Sequence, residues 1–333
     1  MKKKIYVYVS IILLIICLWL GFTWWSFLKS PLLPSDQQPR DFLFPQGMSV
    51  KQVATTLANQ KLLRHPGFFT LFVRLKGLEC NLKAGEYRII PGVTTPSRLL
   101  TKMVRGDAIR HTFTIVEGWT FAQVLAALNS NPYVQHTIQK LTPAEIMAYI
   151  GHVGELPEGR FAPDTYLFSG KIKDTKLLIS AYNLMAKRLN TAWQKRDVKL
   201  PYHCPYQVLI VASLIEKETA VLAEKPLIAG VILRRWSSDR LLQIDPTIIY
   251  GLGEKYRGKL TKADYYIDSP YNTYTRKGLP PTPIAMPSES SIVAATQPII
   301  GSYLYYAAKG DGTHKFSATL KEQEQAVKKY IRK

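Results

Sequence analysis

The sequence predicts an α+β fold carried on a single N-terminal transmembrane helix, and three observations predict it. Residues Ile5 to Leu28 carry no charge. Between residues 41 and 130, short apolar extended runs alternate with capped amphipathic helices, whereas the last third of the chain trades helix formers for proline, glycine and tyrosine.

The N-terminal run is long enough to cross a bilayer, because as a helix it spans about 36 Å. It ends on Trp24, Trp25, Ser26 and Phe27, not on the small residues of a cleavage site, so it reads as a retained anchor. Lys2, Lys3 and Lys4 precede it and only Lys29 closely follows. That asymmetry places residues 1–4 in the cytoplasm, residues 5–28 across the plasma (inner) membrane in a single pass, and the rest outside. Trp24, Trp25 and Phe27 would form the outer aromatic belt. The whole chain has a net charge of +20, and without the four lysines of residues 1–29 it keeps +16. Such an excess predicts an anionic partner. Export argues against nucleic acid and leaves lipid headgroups of the bilayer or an acidic cell-wall polymer. Cys17 lies in the span, while Cys80 and Cys204 lie beyond it; a disulfide between these two is allowed by the compartment but not implied by spacing.

Residues 29–40 include three prolines and no periodic apolar pattern, which predicts a semi-extended linker. The folded part begins near Asp41. From there an apolar extended run, a glycine turn and a capped helix occur in three copies, starting at Phe42, Tyr87 and His111. Ser49 with Gln52 and Thr120 with Gln123 have capping-box spacing, and Pro96 after Thr95 is a first-turn proline. A further helix is predicted from Pro66 to Gly77. The resulting strand, helix, helix, strand order across residues 41–91 is the layout of a LysM-like module, and we bound that subdomain at residues 41–110. Residues 131–200 read as mainly helical, with one helix opening on Thr142 and Pro143 and a long amphipathic one from Thr175 to Arg196. Between them, EGRFAPDTYLFSG reads as an aromatic-rich turn holding Asp164. Further on, LLQIDPTIIYGLG and YLYYAAKGDGTHKF read as strands, and SPYNTYTRKGLPPTPIAMP between them as an irregular loop.

The stretch from Gln207 to Leu222, QVLIVASLIEKETAVL, places Glu216 and Glu218 in an otherwise apolar helix. Val211, Ile215, Glu218 and Leu222 share one face at helical spacing, and a carboxyl on such a face resists ionising. That is the property a general acid needs near neutral pH. Glu216 falls on the smaller, more polar face of Leu209, Ala212, Ser213 and Ala220. Periodicity therefore favours Glu218, while the alternative that both are surface acids paired with Lys217 or Lys225 stays open. The six histidines are scattered with no paired-His helix, which predicts no metal site. No nucleophile-elbow serine is present either. Gly253 to Lys259 has the outline of a phosphate loop, but Leu260 stands where a magnesium-binding hydroxyl belongs, so it reads as a turn.

The motifs EGRFAPDTYLF, ASLIEKETAV, LQIDPTIIYGLGEKYRGKL, SPYNTYTRKGLPPTPIA and THKFSATL stand here in one order. In these the chain resembles the YceG-like family, the endolytic murein transglycosylases. The resemblance implies a mixed α/β catalytic domain, residues 111–333, that needs no cofactor. It implies cleavage of peptidoglycan strands between N-acetylmuramic acid and N-acetylglucosamine with 1,6-anhydro ends, and company with peptidoglycan synthases, the penicillin-binding proteins. It places the catalytic acid at Glu218, with Glu216 and Thr219 as candidate support. Gln243, Asp245, Tyr271, Asn272 and Tyr274 match family positions, where they could orient sugars or simply brace loops. Asp245 or Asp164 would be the second acid if the chain were instead a lysozyme-like hydrolase; a noncatalytic wall-binding anchor is the third reading. Thr282, Met286 and Ser288 depart from the family's common GLPPGPIANPG, which is expected to reshape the loop beside the site, and Glu322, Gln323 and Glu324 depart from its EHN.

Overall fold

The computed structural model describes residues 2–331, with side chains from Tyr6 onward, so the side chains of the basic N-terminal flank lie outside the described residues. The chain folds as two compact units, Met1–Thr112 with Leu167–Lys171, and Phe113–Tyr166 with Ile172–Lys333.

The first unit starts with α1 (Lys2–Lys29), whose stretch Tyr6–Lys29 is long and apolar enough to cross a membrane; its end is not free for an aromatic belt, because Phe27 is buried in the core of this unit and Trp24 packs against that core. There follow β1 (Arg40–Phe44), α2 (Val50–Asn59), α3 (Pro66–Leu75), β2 (Gly85–Ile89) and α4 (Pro96–Arg105). β1 pairs antiparallel with β2, Phe42 opposite Tyr87. Alternation sends Phe42, Phe44, Tyr87 and Ile89 inward onto Val53, Leu57, Phe69, Val73, Leu99 and Met103, which joins the faces of α2, α3 and α4 into one core. The helix starts form as their sequences require. Ser49 and Gln52 bond each other's backbone N–H groups in a full capping box, and Thr95 Oγ1 accepts from Arg98 N. The linker reading of residues 29–40 needs revision at its start, because Leu32 and Leu33 are buried in this core. Leu32 N donates to Thr94 O at 2.8 Å and Gly92 N to Leu33 O at 2.9 Å. Two leucines beside a hydrophobic unit bury themselves whatever the surrounding prolines favour.

The second unit contains β3 (His111–Ile115, which begins at the boundary), α5 (Phe121–Ser130), β4 (Val134–Gln135), α6 (Pro143–Tyr149), β5 (Asp164–Phe168, which ends past the boundary) and β6 (Ile172–Lys173). It continues through α7 (Asp174–Gln194), α8 (Pro205–Glu218), α9 (Lys225–Ser237), α10 (Asp245–Leu252), α11 (Glu289–Thr296), β7 (Tyr305–Ala308), β8 (His314–Ser317) and α12 (Leu320–Tyr330). β3 pairs with β5, β4 runs parallel to β6, and β7 pairs antiparallel with β8. The capping boxes at Thr120 and Thr142 both form.

Two readings are corrected here. Asp164–Phe168 is strand β5, not a turn; its threonine and aromatics fit a pleated edge. LLQIDPTIIYGLG folds as helix α10: Asp245 and Pro246 form its first turn, and these start signals outweigh the strand preference of the isoleucines behind them. YLYYAAKGDGTHKF does form a hairpin, and the loop between residues 269 and 287 is irregular. The Gly253–Lys255 stretch is a 3-10 turn.

Candidate active site

Helix α8 is buried on every side from Val208 to Ile215, so it serves as the central rod against which α7, α9 and α11 pack. Its two end turns leave the core, and the last one carries the acids. Successive residues there point about 100° apart and meet different surroundings. Lys217 turns outward and reaches Gly118 O at 3.2 Å.

Glu216 turns toward α9 and α11. Its Oε2 accepts from Lys225 Nζ at 3.1 Å, Ser288 N at 3.0 Å, Ser288 Oγ at 2.5 Å and Ser291 Oγ at 2.6 Å. Burial by itself would raise its pKa, but the Ser288 and Ser291 donors and the Lys225 charge bring it below the usual glutamate range. It is an anion that neutralises a buried lysine.

Glu218 is the last residue of α8, and Thr219 closes the helix through its N–H to Ile215 O at 3.3 Å. One edge of the residue is exposed while protein surrounds its carboxyl. Desolvation first, and then the charge of Asp245, push the Glu218 pKa to about 8, against a hydrogen bond from Tyr306 that favours the anion. Its place at the negative end of a helix acts in the same raising direction. Near neutral pH this carboxyl keeps its proton.

Asp245, at the first turn of α10, accepts from Tyr274 Oη at 2.5 Å and Tyr265 Oη at 3.3 Å. Burial and then Asp245 raise the Tyr274 pKa above the ordinary phenol value, so it stays a donor. Gln243 precedes this helix with φ +55, a conformation that a non-glycine residue holds only when its surroundings fix it. They do so: Gln243 N donates to Thr273 O at 3.1 Å, and Arg235 donates to Gln243 Oε1 at 2.8 Å and Leu242 O at 2.7 Å. The Arg235 guanidinium also lies over the Tyr305 ring, 5.1 Å from its centre.

A second acidic pocket lies in the same unit. Burial raises the Glu158 pKa to about 7, while its carboxylate accepts from Tyr250 Oη at 2.9 Å and Phe121 N at 3.0 Å. Tyr250 meets Tyr271 edge-on at 4.8 Å, and Tyr271 Oη lies 3.0 Å from Thr282 Oγ1. Among the described residues, no three His, Cys, Asp or Glu side chains gather as a metal site.

Residues 42–329 match the YceG-like family. The chain belongs to that family. It is 30% identical to the endolytic murein transglycosylase of Bacillus subtilis (strain 168), over 91% of this chain and 89% of that protein. It is 26% identical to the enzyme of the same name from Streptococcus pneumoniae (strain ATCC BAA-255 / R6), over 86% of this chain but 58% of that longer protein. A crystal structure of a yceG-like protein from Listeria monocytogenes matches 87% of this chain and 99% of its own, with 27% identity and a TM-score of 0.56.

Of the residues singled out from the family motifs, Asp245 and Tyr274 are hydrogen-bonded and the Asp245 charge acts on Glu218, while Gln243 is held by Arg235, whose charge acts on Tyr306 and Tyr274. The others have different employment. Tyr271 belongs to the Glu158 pocket, and Asn272 is buried with its amide spent on Tyr265 O, Ile267 O and Tyr274 N. Thr219 turns its hydroxyl to Glu224 at 3.2 Å. Asp164 pairs with Arg188 at 2.9 Å. Among the departures from the family pattern, Ser288 caps α11 and bonds Glu216, Thr282 meets Tyr271, and Gln323 donates to Tyr306 O at 2.9 Å. Sequence reasoning missed Tyr306, Arg235, Glu158, Glu224 and His314. The available signal for three of them was position: Glu158 opens the family motif EGRFAPDTYLF, Tyr306 and His314 stand in the hairpin stretch YLYYAAKGDGTHKF, and His314 also lies in the motif THKFSATL.

Proposed function

We propose that this chain is an endolytic lytic transglycosylase of peptidoglycan, with Glu218 as its single acid and base. The observation that carries the reading is a carboxyl held protonated near neutral pH, at the end of a buried helix, beside the Asp245 carboxylate and a tyrosine hydroxyl. The names of the Bacillus and pneumococcal relatives support the substrate and the reaction class.

Glu218 donates its proton to the glycosidic oxygen as the bond to C1 of N-acetylmuramic acid breaks, and the N-acetylglucosamine side leaves as an alcohol. The C6 hydroxyl of the same muramic residue attacks C1 and gives its proton to the Glu218 carboxylate. The acid is restored, no water is consumed, and a 1,6-anhydro end remains. An internal nucleophile is already positioned, so no second carboxyl has to activate water. Asp245 keeps the proton on Glu218 beforehand and offsets positive charge developing at C1.

The remaining parts follow this chemistry. α1 holds the enzyme in the plasma membrane with its N-terminus in the cytoplasm, where the glycan strand would be met as it leaves a synthase. The β1–α2–α3–β2 arrangement over residues 41–110 acts as the LysM-like glycan-binding subdomain, and residues 111–333 as the catalytic domain.

Incubating the full-length chain, in detergent or nanodiscs, with purified glycan strands and weighing the products tests the proposal. Internal cuts with anhydro ends are expected, and Glu218→Gln should slow them by about 10²–10⁴-fold. Reducing ends would replace this reading with a muramidase in which Asp245 is the second acid, the alternative favoured by its closeness to Glu218. Absence of cleavage would leave a noncatalytic wall-binding anchor.

A further inference from the structure

Glu224 stands immediately before α9 and is buried, yet it takes no part in capping that helix with its side chain. Both its oxygens point elsewhere. Oε1 accepts from the backbone N–H of His314 at 2.8 Å, and Oε2 lies 2.8 Å from His314 Nδ1. Burial opposes ionisation here, but the His314 and Thr219 contacts outweigh it and hold the Glu224 pKa below its usual value. An ionised carboxylate can only accept, so Nδ1 carries the proton in this pair. Oε2 also accepts from Thr219 Oγ1 at 3.2 Å, and Thr219 is the residue that follows Glu218.

His314 opens β8, whose partner β7 carries Tyr306. The two rings meet edge to face, 5.5 Å between centres and 89° between planes. One carboxylate thus ties the end of α8, through Thr219, to the hairpin that carries Tyr306, through His314. The Arg235 guanidinium of α9 lies over the Tyr305 ring of the same hairpin.

We propose that Glu224 and His314 are positioning residues that hold the Tyr306 hydroxyl against the catalytic Glu218 carboxyl. Tyr306 stabilises the carboxylate left after proton donation, and that carboxylate must wait in place to receive the C6 hydroxyl proton. The assignment rests on the transglycosylase reading for its kinetic consequence but not for its geometry.

A double-mutant cycle on the full-length chain tests it. Tyr306→Phe and His314→Ala should each lower kcat about tenfold with KM unchanged, and both should move the alkaline limb of the pH–rate profile upward, because the bond lost is one that favours the anion. The double variant should be no slower than Tyr306→Phe alone, and His314→Asn, which keeps a donor toward Glu224, should recover much of the loss. Additive losses, or a profile that stays put while the folded fraction falls, would overturn the proposal. Carbon-13 titration of the Glu218 carboxyl needs no turnover and separates the two claims. An upward shift in His314→Ala supports the positioning pair even where no anhydro product forms, and an unmoved titration sinks it even where cleavage proceeds.

Discussion

Glu216 and Glu218 occupy the same turn of α8, yet one is a fixed anion and the other a stored proton. Enclosure does not separate them, for the Glu216 side chain keeps only 8% of its exposure whereas Glu218 has an open edge. The donors do. Glu216 meets an ammonium, two hydroxyls and a backbone N–H, while Glu218 meets one phenol and a neighbouring carboxylate. Buried carboxyls ionise where the protein supplies donors that replace water and stay neutral where it supplies repulsion. The break comes at the first residues of α9, where Lys225 faces Glu216 and Glu224 faces away toward Thr219 and His314.

Exchanging each carboxyl for an amide should therefore give opposite phenotypes. Glu218→Gln, which mimics the protonated state, should remove activity while raising the unfolding midpoint in denaturant at pH 7, where the folded wild type holds a proton that its unfolded chain has released. Glu216→Gln should do the reverse. It leaves Lys225, whose side chain is 3% exposed, without its counter-charge, and breaking a buried pair from one side costs about 3–5 kcal/mol. Urea titration with a matched activity assay checks both. Removing both charges, as Glu216→Gln with Lys225→Met, should recover part of the lost stability.

Helix starts were legible because their determinants are local: Ser49–Gln52, Thr120–Gln123 and Thr142 lie within one turn of the backbone they cap. The strand, helix, helix, strand order of residues 41–91 was legible in the same local signals. Glu218 was singled out on a periodicity that the structure modifies. α8 is apolar all round and ends at Glu218, with Leu222 exposed beyond it, so no continuous stripe exists. The helix terminus, not the face, sets this carboxyl apart. The surroundings of the site were illegible because they are assembled from distant segments. Tyr306 lies 88 positions from Glu218 and Ser288 lies 72 from Glu216, and nothing within a helical turn of either acid announces its partner. Asp245 was visible as a residue but not as the head of a helix, because the isoleucines of α10 imitate a strand.

A smaller effect with a definite sign comes from linkage. Glu218 has a folded pKa of about 8 against an ordinary 4.5, so between these values the folded state binds a proton that the unfolded chain has released. Its contribution to stability must fall as pH rises from about 4.5 to about 8. Glu216 is depressed, so its contribution is present above 4.5 and is lost as pH falls through its lower folded pKa. Glu158, raised to about 7, has the same sign as Glu218, which makes the raw pH dependence ambiguous. The difference between wild type and Glu218→Gln isolates one group. Unfolding free energies at pH 5 and pH 9 should bring the variant level with wild type at the lower value and above it at the higher.

The smallest predicted change tests how far the Glu218 site extends along the loop that follows α10. Tyr274→Phe removes the 2.5 Å donor on Asp245 but leaves Tyr265 in place. The Asp245 charge becomes less compensated and Glu218 holds its proton more firmly, so kcat should fall less than tenfold and the alkaline limb should move upward. Asn272→Ala, two residues earlier, strips Tyr265 O, Ile267 O and Tyr274 N of buried partners. It should cost about 1–3 kcal/mol for each group left unsatisfied and leave the pH profile of the surviving activity where it was. If Tyr274→Phe were to cost a thousandfold, Asp245 would have to be more than a neighbour that holds a proton in place. A carboxylate so sensitive to its donor would be acting on C1 or on water itself, and the products should then carry reducing ends.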